Sequence, residues 1–435
     1  MRAHFFEKTG KIVMYLPDSI KFFKIDKNGK KIVEDILNGE KESEIKRKYN
    51  ISSEYYKSII DMVSEKIEIK ENNEEVLEKL TINISNVCNL KCKYCYANKG
   101  CYNSKEGIMT KETAKVALDV FYKKYSTIKT IMLFGGEPTL NLEIIEFICK
   151  YIHEKKDKGD INELPVIGMV TNGTIVNDKL IELINVYDIQ ITVSIDGPEH
   201  VNDKLRIFRD GSISTKKVLN NIKYLKVNTE QPKTVEIAYT KVHKNEGVSV
   251  FDIIKYFTDE VGIKDIHIVP VLTNDEKLKL EDNSDFIDAI EKVLENNKNS
   301  DKKYMFTTVS NTINAINEKN INNYYCKCGI NSYSVSYQGD VYPCSVLTDK
   351  DDFYFGNVHD DELFTGSKFI SINSKFKNFN KFENKQCKNC YYNTLCKKSG
   401  CVNYMMTGDV HSVNNSECMF SKRVFETVVE KMFLS

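Results

Sequence analysis

The chain has 435 residues, 41% of them hydrophobic, with 62 basic and 62 acidic side chains. That length exceeds one typical domain and supports substantial cores, while the charge balance argues against bulk nucleic acid or an anionic membrane as a dominant partner. No apolar run is long enough to span a bilayer and no signal-peptide core opens the chain, so a cytoplasmic location is expected, and the 13 cysteines read as metal ligands rather than disulfides.

Residues 1–75 read as a unit of their own. Segments 12–15 and 20–25 predict two strands joined by a Pro17-Asp18-Ser19 turn. Three helical patterns follow: one carrying Ile32, Val33, Ile36 and Leu37 and stopping at Asn38-Gly39, a short one over 42–49, and one entered at a Ser52-Ser53 cap with Tyr56, Ile59, Ile60 and Val63 in helical spacing. A hairpin with a helical trio resembles the small winged-helix peptide-recognition element that precedes many peptide-modifying enzymes. The resemblance implies binding of a leader peptide as an extra strand along a sheet edge. Basic and acidic residues balance over 1–75, so an electropositive footprint for DNA is missing. A purely structural role is the plainer alternative.

From 81 to about 272 strand and helix alternate. Strands are predicted at 81–85, 130–134, 165–170, 189–195, 234–242 and 265–272, with amphipathic helical stretches at 113–122, 142–153 and 215–225. Such alternation implies parallel strands with right-handed crossovers. Directly after the first strand come Cys88, Cys92 and Cys95, spaced Cx3Cx2C with Tyr94 before the last. Three thiolates on one tight loop can hold three irons of a [4Fe–4S] cluster and leave the fourth open; structural zinc prefers four closed ligands in other spacings. The second strand ends in Gly135-Gly136-Glu137-Pro138, where the glycines let a backbone approach closely and Glu137 offers an acceptor to an ammonium group.

The cysteine loop followed by this turn resembles the radical S-adenosylmethionine (SAM) superfamily. The resemblance implies a partial (β/α)6 TIM-like barrel over 80–272, with functional loops at the C-terminal ends of its strands. It also implies that Cys88, Cys92 and Cys95 ligate the cluster, that the SAM amino-carboxylate takes the open iron, and that Gly135, Gly136, Glu137 and Pro138 receive the SAM ammonium. One electron from the cluster would then cleave SAM and release a 5′-deoxyadenosyl radical that abstracts hydrogen. Later strand ends carry Asn172 (in Thr171-Asn172-Gly173), Ser194 and Asp196 (in Ser194-Ile195-Asp196-Gly197) and, beyond them, Arg206. By the same resemblance Ser194 and Arg206 hold the SAM carboxylate or ribose; a capped turn and a solvated Arg are the bland readings. Tyr94 and Val269 pack on the adenine, or are ordinary barrel core.

Residues 273–325 read as a polar helical bridge without chemistry. From 326 to 435 the chain carries Cys326, Cys328, Cys344, Cys387, Cys390, Cys396, Cys401 and Cys418. Ten residues separate Cys328 from Gly339, and Gly339-Asp340 suits a hairpin tip bringing Cys328 and Cys344 together. The run Cys387-x2-Cys390-x5-Cys396-x4-Cys401, with Cys418 beyond, resembles a SPASM domain, the extension that holds two auxiliary [4Fe–4S] clusters in peptide-modifying radical SAM enzymes. The family's interleaved ligation implies Cys328, Cys344 and Cys401, with or without Cys326, for the first auxiliary cluster, and Cys387, Cys390, Cys396 and Cys418 for the second. The family usually has three residues where four separate Cys396 from Cys401, and Cys326 lies close to Cys328 for two ligands of one cluster, so an open iron that binds a substrate thiolate stays open as an option. Two zinc sites are the alternative by count. Cys149 reads as a small buried apolar residue, and Cys101 has no assigned role.

The three-part layout resembles maturases of ribosomally made peptides, of the thioether-forming sactipeptide or ranthipeptide type. The expected activity is SAM-dependent cross-linking of a precursor peptide held through its leader, fed by a low-potential flavodoxin or ferredoxin. Carbon–carbon or ether cross-linking is the alternative. A sulfatase-type (formylglycine) maturase is disfavoured, because Ser345 stands where those enzymes carry an Asp base.

Overall fold

The computed structural model describes residues 1–435 except 70–72, 103, 320, 322, 325, 379, 398–399 and 435; 70–72 of the expected N-terminal unit and 320, 322 and 325 of the expected bridge therefore lie outside the described residues. Three strands, β1 (His4–Lys8), β2 (Lys11–Leu16) and β3 (Lys21–Ile25), form an antiparallel meander. The sequence expectation covered the last two. The first, His-Phe-Phe-Glu-Lys, is only five residues long, with two adjacent aromatics followed by two charged residues, so it gives no clear alternation. Helices α1 (Lys27–Leu37), α2 (Glu42–Tyr49) and α3 (Ser53–Ser64) follow where their patterns predict them. Asp26 caps α1 by accepting from the Gly29 amide at 2.6 Å, and Ser52 caps α3 by accepting from the Tyr55 amide at 3.1 Å. Successive side chains of β2 serve two cores. Met14 and Leu16 pack on Ile32, Val33, Ile36, Ile59 and Val63, whereas Val13 and Tyr15 face Phe425 and Val429 of the C-terminal helix.

Six strands then lie side by side, all parallel and in chain order: β4 (Lys79–Ser85), β5 (Thr130–Gly135), β6 (Val166–Thr171), β7 (Gln190–Ser194), β8 (Thr234–Tyr239) and β9 (Asp265–Pro270). Helices α4 (Lys111–Lys124), α5 (Leu142–Asp157), α6 (Asp178–Tyr187) and α7 (Thr215–Asn228) lie between them in the chain. Leu80, Ile82, Ile84, Ile131, Leu133, Val235 and Ile237, every second residue of their strands, are at 0% exposure, so one face of the sheet is fully covered, while the alternate positions of β5 and β8 are half-buried. The result is a mixed α/β fold around a central sheet.

Both sheet edges are extended by segments that sequence patterning did not place there. The expected bridge contains α8 (Ser284–Asn299) and α9 (Thr307–Glu318), and between them β10 (Met305–Phe306) pairs in parallel with β9. Two residues are too few to show periodicity. At the other edge β11 (Ser332–Val335) runs parallel to β4 and forms a hairpin with β12 (Asp340–Tyr342), whose turn glycine, Gly339, has φ +92°; β13 (Gly356–Asn357) pairs next. The hairpin tip falls where the sequence put it, and one ten-stranded sheet runs through the described residues from bridge to C-terminal region. Helices α10 (Ser367–Lys377), α11 (Gly400–Thr407) and α12 (Asn415–Phe433) complete the chain.

Candidate active site

The C-terminal ends of the parallel strands surround a cavity of about 320 Å3. Its walls include Cys88, Cys92, Cys95, Tyr94, Gly135, Gly136, Glu137, Asn172, Ser194, Arg206 and Val269. Of the cofactor residues expected from the sequence, Pro138 and Asp196 stand behind this wall, both buried.

The cysteine loop is pinned from several sides. Lys91 and Lys93 amides donate to the carbonyls of Ile207 and Leu205 at 2.8 and 3.0 Å, which ties the loop to the segment bearing Arg206. The Gly136 and Glu137 amides donate to Ser85 and Val87 carbonyls at 2.6 and 2.9 Å, so the Gly-Gly-Glu-Pro turn sits directly on the strand end that leads into Cys88. This approach explains both glycines. A Cβ on Gly135 would lie 2.2 Å from the Ser85 carbonyl oxygen, and one on Gly136 would lie 2.5 Å from that of Val87. Gly100 makes a third such contact, against Gly136 and Cys88.

Glu137 is fully buried. Its Oε1 accepts from the Thr139 amide (3.1 Å) and from the hydroxyls of Thr139 and Thr171 (both 2.6 Å), and its Oε2 accepts from the Asn172 amide at 2.7 Å. The carboxylate thus braces two strand ends and keeps one acceptor position on Oε2. Burial pushes its pKa above the ordinary carboxylate value, against the pull of these hydrogen bonds. Asn172 extends the brace to the cysteine loop by donating to Asn89 Oδ1 at 2.8 Å, with its Nδ2 3.8 Å from Cys88 Sγ.

A second buried chain links Arg206, Tyr94 and Asp196. Arg206 Nη1 donates to Tyr94 Oη at 2.8 Å, and Tyr94 donates to Asp196 Oδ2 at 2.5 Å. Asp196 Oδ1 accepts from the Ala238 amide at 3.2 Å, and the Asp196 carbonyl lies 2.8 Å from His243 Nε2. Burial works against the charge on Arg206, but Cys92, Tyr94 and Asp196 around it hold the guanidinium firmly cationic. Burial pushes the thiols of Cys88 and Cys92 up to about 12 and about 11, so a metal's charge is what would favour thiolates here.

The C-terminal cysteines separate into two clusters. Cys328, Cys344 and Cys401 hold their sulfur atoms within 4.8 Å of one another, Cys328 and Cys401 at 3.0 Å. Cys326 stands beside Cys328, whose hydrogen bond holds the Cys326 thiol down at about 7 against burial. Cys387, Cys390, Cys396 and Cys418 line a separate cavity of about 100 Å3. The first set converges as thiols only, the donor chemistry of an iron–sulfur centre, and the second lines its cavity together with Gln386, Tyr392, Asn393 and Lys422. Cys149 is buried on α5 as expected, and Cys101 Sγ donates to the Asn98 carbonyl at 3.0 Å.

Residues 82–242 match the Radical SAM superfamily, and residues 326–391 match SPASM, an iron–sulfur cluster-binding domain. This is a radical SAM enzyme with a SPASM domain. Its cofactors are SAM and [4Fe–4S] clusters. Over 373 residues the enzyme is 28% identical to the radical SAM cyclopropyl synthase TigE of Paramaledivibacter caminithermalis, covering 77% of this chain and 72% of TigE. An uncharacterised protein of Methanocaldococcus jannaschii is 38% identical over 150 residues, 34% of this chain, and the match spans only 49% of that protein's length. Among solved structures, anSMEcpe with bound AdoMet superposes with TM-score 0.69 at 22% identity, covering 82% of this chain and 94% of that one. Streptococcus suis SuiB bound to its precursor peptide SuiA superposes with TM-score 0.57 at 16% identity, covering 96% and 98%.

Several residues that shape the radical SAM enzyme's cavity escaped the sequence reading. Glu236 on β8 lies in register with Ser194 and lines the cavity, and its only signal was an acidic side chain inside the apolar run Val-Glu-Ile-Ala-Tyr. Asn89 and Thr171 act through hydrogen bonds to residues more than thirty positions away, which no local pattern announces. Tyr96, Val346, Val402 and Met405 also line the cavity. The last three sit next to Cys344 and Cys401, so the C-terminal region closes one side of it.

Proposed function

We propose that this enzyme installs a cross-link, a Cys thioether in the first instance, in a ribosomally made precursor peptide. The observation that carries the reading is the shared cavity: Cys88, Cys92 and Cys95 open onto it from one side, and Val346, Val402 and Met405, adjoining the first auxiliary thiols, open onto it from the other. A peptide segment bound there lies against Cys88, Cys92 and Cys95 and against the neighbours of the first auxiliary thiols. When bound, the clusters and SAM supply one-electron reduction and hydrogen-atom abstraction.

In this reading Cys88, Cys92 and Cys95 hold the SAM cluster. Gly135, Gly136, Glu137 and Pro138 form the SAM amino-group turn, through the acceptor position left on Glu137 Oε2. Asn172 and Asp196 fix the loops around it, Ser194 and Arg206 meet the carboxylate or ribose, and Tyr94 and Val269 flank the adenine. Cys328, Cys344 and Cys401, with Cys326 adjacent, serve the first auxiliary cluster; Cys387, Cys390, Cys396 and Cys418 serve the second. The parallel sheet is taken as a partial (β/α)6 barrel spanning 80–272, with 273–325 as bridge and 326–435 as the SPASM domain. Residues 1–75 are taken as a winged-helix-like leader reader that offers an edge of β3, which among the described residues pairs only with β2. SuiB, a structure of the same fold, is solved with a precursor peptide, which supports a peptide substrate. A flavodoxin or ferredoxin supplies the electron.

The likeness to a cyclopropyl synthase favours carbon–carbon bond formation as a second reading. Anaerobic co-expression with a small Cys-containing peptide encoded beside the gene, followed by reduction, thiol alkylation and mass spectrometry, separates the two. A thioether former removes two hydrogens per link and leaves the linked Cys refractory to alkylation. The same loss with every Cys still alkylated establishes the second reading, and an unaltered peptide refutes both.

A further inference from the structure

The N-terminal strand reaches into the loop that carries Cys387 and Cys390. Arg2 Nη1 donates to the carbonyls of Lys388 and Cys390 at 3.2 and 3.1 Å and to Asn393 Oδ1 at 2.9 Å. Asn393, buried at 2% exposure, turns its Nδ2 back onto the carbonyls of Cys387 and Lys388 at 3.0 and 3.4 Å. The two side chains together therefore hold the backbone of the whole Cys387–Cys390 turn. The guanidinium is itself held, with Nε donating to Asp18 Oδ1 at 3.0 Å and Nη2 paired with the same carboxylate. Asp18 is anchored in turn by the Ile67 amide, which donates to its carbonyl at 2.9 Å. Two residues on, His4 stacks on Tyr391 with ring centroids 3.8 Å apart and planes within 9°. Asp18 belongs to the N-terminal unit itself, so its pair with Arg2 docks nothing onto the loop; Nη1, the nitrogen not taken up by Asp18, goes to the loop.

We propose that Arg2 is a positioning residue for the second auxiliary cluster, making the N-terminal sheet part of that cluster's surroundings as well as a peptide reader. The inference rests on reading Cys387, Cys390, Cys396 and Cys418 as ligands. Arg2 fixes the loop's shape through its carbonyls and sets a permanent cation, partly balanced by Asp18, beside the ligand backbone. A nearby cation favours the more negative, reduced form of a cluster, and a nearby anion disfavours it.

The test uses the full-length, reconstituted chain in which Cys88, Cys92 and Cys95 are replaced by Ala, so that only auxiliary clusters give signals in an EPR-monitored redox titration. Cys390→Ala identifies which signal belongs to the second cluster. On that background Arg2→Gln is expected to lower that cluster's midpoint potential and Asp18→Asn to raise it, with the other auxiliary signal unmoved. Both variants weaken the same joint, so a merely structural role shifts them in the same direction or leaves both in place; either result overturns the inference. Arg2→Lys, which keeps the charge without the planar fork, is expected to retain the potential yet release iron faster to a chelator. If Cys390→Ala leaves both auxiliary signals intact, the ligand assignment itself fails, an outcome separate from the one above.

Discussion

Glu137 shows how one buried side chain can join segments far apart in the chain. Its carboxylate takes four hydrogen bonds from Thr139, Thr171 and Asn172, and Asn172 passes the constraint to Asn89 beside Cys88. Glu137→Ala strands two buried amides, at about 1–3 kcal/mol each. The expected outcome is a lowered unfolding midpoint of the apo chain together with weakened SAM binding, measured by denaturant titration and equilibrium dialysis; an unchanged midpoint would show that the brace carries no load. The sequence marked Glu137 for function because it follows two glycines. It could not reveal the brace, since Thr171 lies 34 residues away on another strand. Nor could it reveal that the glycines make room for the cysteine loop's own backbone. The residue types were legible, whereas their partners depended on tertiary closure.

At the scale of elements, the C-terminal helix α12 ties the ends of the chain together. Phe425 is fully buried and packs against Phe6 and Tyr15 of the N-terminal sheet and against Tyr392 in the second cysteine loop, with ring centroids 6.0, 5.2 and 5.0 Å away. Phe425→Ala removes the ring shared by these three and costs about 3–5 kcal/mol. Hydrogen exchange is expected to accelerate in β1 and β2 while β4 to β9 keep their protection; uniform acceleration across the sheet would contradict this joint. The alternation of strand and helix from 81 to 272 was readable because each parallel strand is an apolar run and each helix an amphipathic one. Segment β10 and the parallel pairing of β11 with β4 were not readable. Both are short, and β11 reaches β4 from about 250 residues further along the chain.

At the scale of the molecule, one set of thiols, Cys88, Cys92 and Cys95, lines the cavity at the strand ends. Neighbours of a second set, Val346, Val402 and Met405, line it too, while the Cys387 loop packs against the N-terminal sheet. No helix among the described residues is long and apolar enough to cross a membrane. The cysteine spacings marked these cysteines in the sequence, and only the family resemblance implied how the C-terminal ones divide into sets. Their relation to each other emerged only from the structure, because β11 and β12 bring Cys328 and Cys344 to the β4 edge, and Val346, Val402 and Met405 near the auxiliary thiols reach the cavity onto which Cys88 opens. Chemistry begun at the Cys88 loop is predicted to act on a peptide in the shared cavity and to be completed with help from the auxiliary thiols. The direct measurement is the deuterium content of 5′-deoxyadenosine formed from SAM under dithionite with a deuterated precursor peptide. The wild-type enzyme is predicted to give deuterated 5′-deoxyadenosine and modified peptide. Cys88→Ala, Cys92→Ala and Cys95→Ala should give no 5′-deoxyadenosine, whereas Cys387→Ala should still give it without finished product. Undeuterated 5′-deoxyadenosine beside an unmodified peptide in the wild type, or full product from Cys387→Ala, would contradict the account.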